Sequence, residues 1–144
     1  MQTLSELFSL KGRTALVTGG SRGLGRMIAA GLLQQGAEVT ISSRKAEDCD
    51  AAAAELSALG PCHSLPADVS SVAGVQQLAA EFGQRHAALD ILVHNAGAAW
   101  NAPFESFPES GWDKVSDLNL KAPFFLTQAL HPLLCQAAQR QCAK

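Results

Sequence analysis

Apolar positions along this chain recur in two rhythms, short unbroken runs and spacings of three and four, and the two alternate from one end to the other. The run Arg13–Thr18 predicts a first strand. Leu24–Gln35 places Leu24, Ile28 and Leu32 on one face and predicts a helix that stops at Gly36. Ala37–Ser42 predicts a second strand, and the alanine-rich stretch Ala46–Leu59 a helix ended by Gly60-Pro61. Cys62–Pro66 predicts a short third strand. Ser71–His86, with Val72, Val75, Leu78, Ala79 and Phe82 at helical intervals, predicts the next helix. Leu89–His94 predicts a fourth strand that breaks at Asn95-Ala96-Gly97. A loop of small and aromatic residues then reaches Ser106-Phe107-Pro108-Glu109, which has the form of a capping box. It opens a last helix, from about Pro108 to Gln139, that Pro123 and Pro132 should bend.

Strands alternating with helices call for a parallel sheet covered on both faces. No linker, repeat or composition shift divides the sequence, so residues 1–144 are expected to form one domain. The sequence stops before a fifth strand. Ile91, Leu92 and Val93 would then form an apolar edge without a neighbour, which natural domains avoid, so the expectation is the front portion of a longer protein.

Composition narrows the field. Hydrophobic residues at 47% and charged residues at 17% describe an ordinary soluble globule, not a disordered chain. A net charge of −2 leaves no broad basic face, so no nucleic-acid partner is expected. No apolar run approaches the ~20 residues of a membrane span, and Met1–Glu6 lacks the features of a signal peptide. A cytoplasmic protein with no membrane partner is expected. Cys49, Cys62, Cys135 and Cys142 show no C-x-x-C pair or zinc spacing, and the histidines are scattered; free thiols and no metal site are expected.

The chemistry concentrates in Thr18-Gly19-Gly20-Ser21-Arg22-Gly23-Leu24-Gly25, between the first strand and the first long helix. Peptide N–H groups at a helix start are unpaired, and the helix dipole adds positive charge there. Glycine lets a pyrophosphate and a crossing strand come close. Alternatively the segment is only a tight strand–helix turn. As a dinucleotide loop it makes the expected architecture a Rossmann-type α/β fold, a doubly wound parallel sheet of strand order 3-2-1-4 truncated after the fourth strand and its following helix. At the end of the second strand, Ser42-Ser43-Arg44-Lys45 carries no carboxylate for ribose hydroxyls. Arg44 would instead grip a 2′-phosphate, so NADP(H) is expected in preference to NAD(H). Otherwise Arg44 and Lys45 are a solvated helix start. Asp68-Val69, past the third strand, places a carboxylate either on an adenine amino group or on the helix beginning near Ser71. Pro123 has no N–H for the carbonyl of Asn119, so that carbonyl would be open to a water, as suits a relay residue, unless Asn119 is merely tolerated at a kink.

Taken together these motifs resemble the short-chain dehydrogenase/reductase family. Thr18–Gly25 matches its T-G-x-x-x-G-x-G signature, Asp68 its adenine-contacting Asp, and His94-Asn95-Ala96-Gly97 its N-N-A-G motif except at the first residue. Asn119 matches the Asn of the family's Asn-Ser-Tyr-Lys set. The similarity runs from about Leu10 to about Leu134 but covers only the first part of a usual member. The branch of bacterial NADPH-dependent 3-oxoacyl-acyl-carrier-protein reductases is the most similar, on the Gly-Gly-Ser-Arg-Gly loop, the Ser-Arg end of the second strand, and Trp100 and Trp112.

The resemblance implies cofactor contacts from Gly19, Ser21, Arg22, Gly23, Leu24 and Gly25. It implies further ones from Ser43, Arg44, Asp68 and Val69, and from Asn95, Ala96 and Gly97. It also implies hydride exchange between a nicotinamide and a small carbonyl or alcohol substrate, with a Tyr as acid, a Lys that lowers its pKa, a Ser on the substrate oxygen, and the Asn behind a water-linked proton path. Of that set only Asn119 carries over as a catalytic residue. The 144 residues contain no tyrosine, and neither Lys114, Lys121 nor Lys144 follows one. A placed general acid contributes ~10²–10⁴-fold, so these residues alone are expected to be inactive. His94 reads as a neutral variant, and Trp100 and Trp112 either pack the loop and last helix or form an aromatic clamp. The resemblance further implies a homo-oligomer through the last helix, with Phe124, Leu126, Leu130 and Leu133 as either that face or core.

Three readings are therefore carried forward: the cofactor-binding part of an NADP(H)-dependent reductase, a nucleotide-binding module without catalysis, and a truncated inactive fragment.

Overall fold

The computed structural model describes residues 4–142. A short helix α1 (Leu4–Leu7), with no counterpart in the predicted elements, leads to β1 (Thr14–Thr18) and α2 (Gly23–Gln34). Then come β2 (Glu38–Ser42), α3 (Ala46–Leu56), β3 (Cys62–Ser64), α4 (Val72–Arg85) and β4 (Ile91–Val93). After a loop with one 3-10 turn (Phe104–Ser106) follow α5 (Glu109–Ser116), a π-helical turn (Asp117–Lys121) and α6 (Ala122–Cys142).

All strand pairs are parallel and the order is β3-β2-β1-β4, the expected doubly wound arrangement. β1 is central, with Ala15 paired to Val39 on one side and Ile91 on the other. Successive side chains on a strand point to opposite faces. Ala15 and Val17 thus pack with Val39 and Ile41 under α2 and α3, through Ala29, Leu33 and Leu56. Leu16 meets Leu78 and Phe82 of α4 and Leu126 and Leu130 of α6 on the other face. Burial on both faces explains why β1 reads as an apolar run, and why β2, which alternates in sequence, still buries Thr40 and Ser42 along with Val39 and Ile41. Among the described residues β4 pairs only with β1, and its three residues stay half-buried.

Asp90, just before β4, is the anchor of the sheet's lower end. Its carboxylate, 3% exposed, accepts from Arg13 (2.9 Å), from Arg140 near the end of α6 (3.2 Å) and from the Thr14 amide (3.0 Å). Burial alone would raise its pKa. The Thr14 N–H and the two guanidinium groups outweigh that and hold it below the usual carboxylate value.

One expectation needs correcting and two are sharpened. Ser106 caps nothing: it lies in the 3-10 turn, and α5 starts behind Pro108 without a side-chain cap. The last helix runs without a break from Glu109 to Cys142, and the disturbance at Pro123 takes the form of a π turn inside it. Pro123 has no N–H to continue an α-helical ladder, and the chain responds by widening, so that the Ala122 amide reaches back five residues to the Asp117 carbonyl. Finally, Leu126 and Leu130 are core, and of the four residues considered for a twin-helix face only Phe124, 63% exposed, points clearly outward.

Candidate functional site

At the carboxyl ends of the strands lies a cavity of about 620 Å³, where a doubly wound sheet binds ligands, beside the point at which strand order reverses. One wall is the β1–α2 turn. Gly19 (φ +66°) adopts the left-handed region, and a Cβ there would sit 2.8 Å from Asn95 Nδ2. Gly23 (φ +55°) also needs that region but faces open space, leaving room for a ligand at the helix start. Gly25 is buried outside the cavity; a Cβ on it would collide with the Gly19 carbonyl, so it lets α2 close onto the loop. Arg22 is the N-cap of α2 and makes no side-chain cap bond, so the first-turn amides lack a side-chain acceptor.

Thr18 joins this wall to the next. Its hydroxyl donates to the Val93 carbonyl (3.3 Å) and accepts from the Asn95 and Ala96 amides (3.2 Å each). The Asn95 amide group donates in turn to the carbonyls of Thr18 (3.1 Å) and Gly19 (3.0 Å). Both its N–H donors thus go to the glycine loop, and Asn95 reaches the cavity as a brace between β4 and that loop.

The third wall is the β2–α3 turn. Ser43, Arg44 and Lys45 line it, with Asp48 4.0 Å from Lys45. The guanidinium groups of Arg22 and Arg44 have neither hydrogen-bond nor ion-pair partners among the described residues. Ser42, at the end of β2, is 1% exposed, lines the cavity, and its hydroxyl has no partner. A buried hydroxyl left unsatisfied is costly unless a ligand or water completes it. Open helix-start amides, two free guanidinium groups and an orphaned hydroxyl suit an anionic, phosphate-bearing ligand.

The predicted residues distribute as follows. Gly19, Ser21, Arg22, Gly23 and Leu24 line the first wall, Ser43 and Arg44 the third, and Val69, Asn95, Ala96 and Gly97 the remainder. Asp68 lies beside the cavity between two lining residues. Its carboxylate accepts from the Ser70 amide (3.0 Å), which with the nearby Arg44 lowers its pKa. It does not cap α4; Ser71 does, accepting from the Gly74 amide at 3.1 Å. Asn119 sits in the π turn. Its side chain pairs with the backbone of Ala98, accepting from the amide (2.8 Å) and donating to the carbonyl (2.9 Å). His94 Nε2 is 2.9 Å from Thr127 Oγ1, whose own proton goes to the Pro123 carbonyl, so the imidazole is the donor. Reduced hydration of the ring lowers the His94 pKa. Thr18 and Ser42 were not among the predicted site residues. The signal for Ser42 was its place at the end of the second strand, directly before the predicted Ser43 and Arg44.

No group of three or more His, Cys, Asp or Glu among the described residues is arranged to hold a metal ion, and no described helix is long and apolar enough to cross a membrane.

A nucleotide-type crevice at the switch point of a doubly wound parallel sheet defines the class. The short chain dehydrogenase family profile matches residues 13–141, and the chain belongs to that family of oxidoreductases. Among curated proteins it is similar to a rhamnolipids biosynthesis 3-oxoacyl-[acyl-carrier-protein] reductase of Pseudomonas aeruginosa, 54% identical over 93% of this chain and 52% of that protein. It is also similar to a gluconate 5-dehydrogenase of Gluconobacter oxydans, 40% identical over 87% and 49%. Among solved structures, the NADP active-site complex of RhlG from Pseudomonas aeruginosa superposes with a TM-score of 0.88 at 55% identity, over 90% of this chain and 51% of that one. The chain spans about half the length of the curated relatives it matches.

Proposed function

We propose that these residues are the cofactor-binding part of an NADP(H)-dependent reductase that delivers hydride to a carbonyl, a 3-oxoacyl group or similar ketone. The observation that carries the reading is the β2–α3 turn, where the unpaired Arg44 guanidinium stands where an NAD site would need a carboxylate. The crystallised relative from Pseudomonas aeruginosa binds NADP, and the curated one acts on 3-oxoacyl groups, which supports the assignment.

In this reading the amides before Gly25 receive the pyrophosphate, Arg22 and Arg44 the 2′-phosphate, and Asp68 the adenine amino group. The nicotinamide, once bound, supplies the hydride. Asn119 holds the Gly97–Ala98 wall through its paired bonds to Ala98 and acts from there as the catalytic-set residue present in this chain. The Ser and the Tyr-x-x-x-Lys pair belong, by the same reading, to sequence beyond these 144 residues. Outward-facing Leu120 and Phe124 would support a homo-oligomer through the last helix, and free Cys49, Cys62 and Cys135 fit a cytoplasmic setting.

Titration of the chain with NADPH and NADH, followed by cofactor fluorescence, tests the assignment. The chain should prefer NADPH, and Arg44→Ala should weaken NADPH about tenfold, the scale of one charged hydrogen bond, while leaving NADH unchanged. Equal loss for both cofactors, or no binding of either by the unaltered chain, overturns it.

A further inference from the structure

The loop after β4 carries a contact that neither the glycine turn nor Asn119 accounts for. Gly111, in the first turn of α5, is buried while its neighbours Ser110 and Trp112 are exposed. The reason is the indole of Trp100. A Cβ on Gly111 would lie 2.7 Å from two atoms of that ring, so only glycine lets the ring rest on the helix backbone. From the same helix Lys114 brings Nζ to 5.3 Å from the ring centroid, within cation–π range.

Trp100 stands three positions after Gly97, which lines the cleft. Between them Ala98 is pinned by Asn119, but both of those hydrogen bonds are exposed to water. Exposed hydrogen bonds open readily when nothing packs over them. Ala98 and Ala99 also border a second cavity of about 400 Å³ that shares Arg44, Gly97 and Leu118 with the first, and Lys114 lies on its rim. The wall of the cleft and the seat of the indole are thus one continuous stretch of chain.

We propose that Trp100 is a positioning residue for the cofactor: seated on Gly111 and flanked by Lys114, it holds the Gly97–Ala98 wall in the form that receives the nucleotide. This rests on the NADP(H) reading above. Without the seat, only a fraction of molecules would present the wall correctly, and apparent affinity falls by that fraction.

The test uses the full chain and its variants Trp100→Ala, Trp100→Phe and Gly111→Ala, each checked for an intact melting transition. In the cofactor-free state, hydrogen exchange of the segment from Asn95 to Trp100 should quicken about tenfold in Trp100→Ala. NADPH should bind about three- to tenfold more weakly, and Trp100→Phe, which keeps a ring on Gly111, should recover most of both. Gly111→Ala displaces the ring and should reproduce Trp100→Ala, and the double variant should be no worse than either single one. Unchanged exchange and affinity in Trp100→Ala, or additive effects in the double variant, overturn this inference alone. Failure of the unaltered chain to bind NADPH overturns the cofactor reading, and the role given to Trp100 with it.

Discussion

Two strand-to-helix crossings line the same cleft, and they are built differently. The crossing from Thr18 to Gly23 is set by backbone: two left-handed glycines and a third that admits a carbonyl against its Cα. The crossing from Val93 to Glu109 is set by side chains reaching back from elsewhere. Asn95 grips the glycine loop, Asn119 grips Ala98, and Trp100 lies on Gly111. A turn dictated by glycines that no other residue can replace announces itself in one dimension. A turn held by pairs far apart in sequence does not.

The contrast breaks most visibly at Gly25→Val. With the Gly19 carbonyl and the Asn95 amide in the way of any side chain, this change should cost more than ~3 kcal/mol in urea unfolding. A cost below ~1 kcal/mol would mean that the first crossing yields as easily as the second. Next comes Asp90→Ala, which frees the start of β4. It should cost about 2 kcal/mol at neutral pH, since the carboxylate is buried while both arginines retain access to water. The folded pKa of Asp90 is depressed, so its contribution is complete above about pH 4 and disappears as the pH falls through the lower folded value. Unfolding curves for the two proteins should therefore converge in acid, and a gap that stays constant would refute the assignment.

Asn119→Ala should cost about 1 kcal/mol, because its two hydrogen bonds are exposed, and should loosen Ala98 exchange without touching the glycine loop. Smallest is His94→Asn, which should change stability by less than ~1 kcal/mol at pH 7.5. The folded pKa of His94 is lowered, so stability present above about pH 6.5 is lost as the imidazole is forced to protonate at lower pH. The native protein should lose more stability than this variant between pH 7.5 and 5, and parallel losses would show that His94 is indifferent to its charge.

The same contrast explains what could be read in advance. Strand order, the two-faced burial of β1 and the cavity at the strand ends followed from apolar runs and from Gly19, Gly23 and Gly25. Ser43 and Arg44 fell on the cleft because strand length fixes where β2 ends. The capping box failed because Pro108 fits a first helical turn as well as an N-cap, and the motif alone does not choose between them. The π turn inside the last helix was missed for a related reason. Pro123 signals a fault in hydrogen bonding but not the way the chain resolves it, and Asn119 was read through its backbone carbonyl when its side chain was the busier group.

The π turn makes one last demand, and it concerns length. A π turn fits one residue more into its turn than an α-helix does, so deleting a single position between Asp117 and Lys121 would restore a regular helix and remove the bulge from which Asn119 reaches Ala98. Asn119 and Gly111 would then no longer address Ala98 and Trp100 together. Over evolutionary drift this stretch should accept exchanges of one amino acid for another yet resist any gain or loss of a codon.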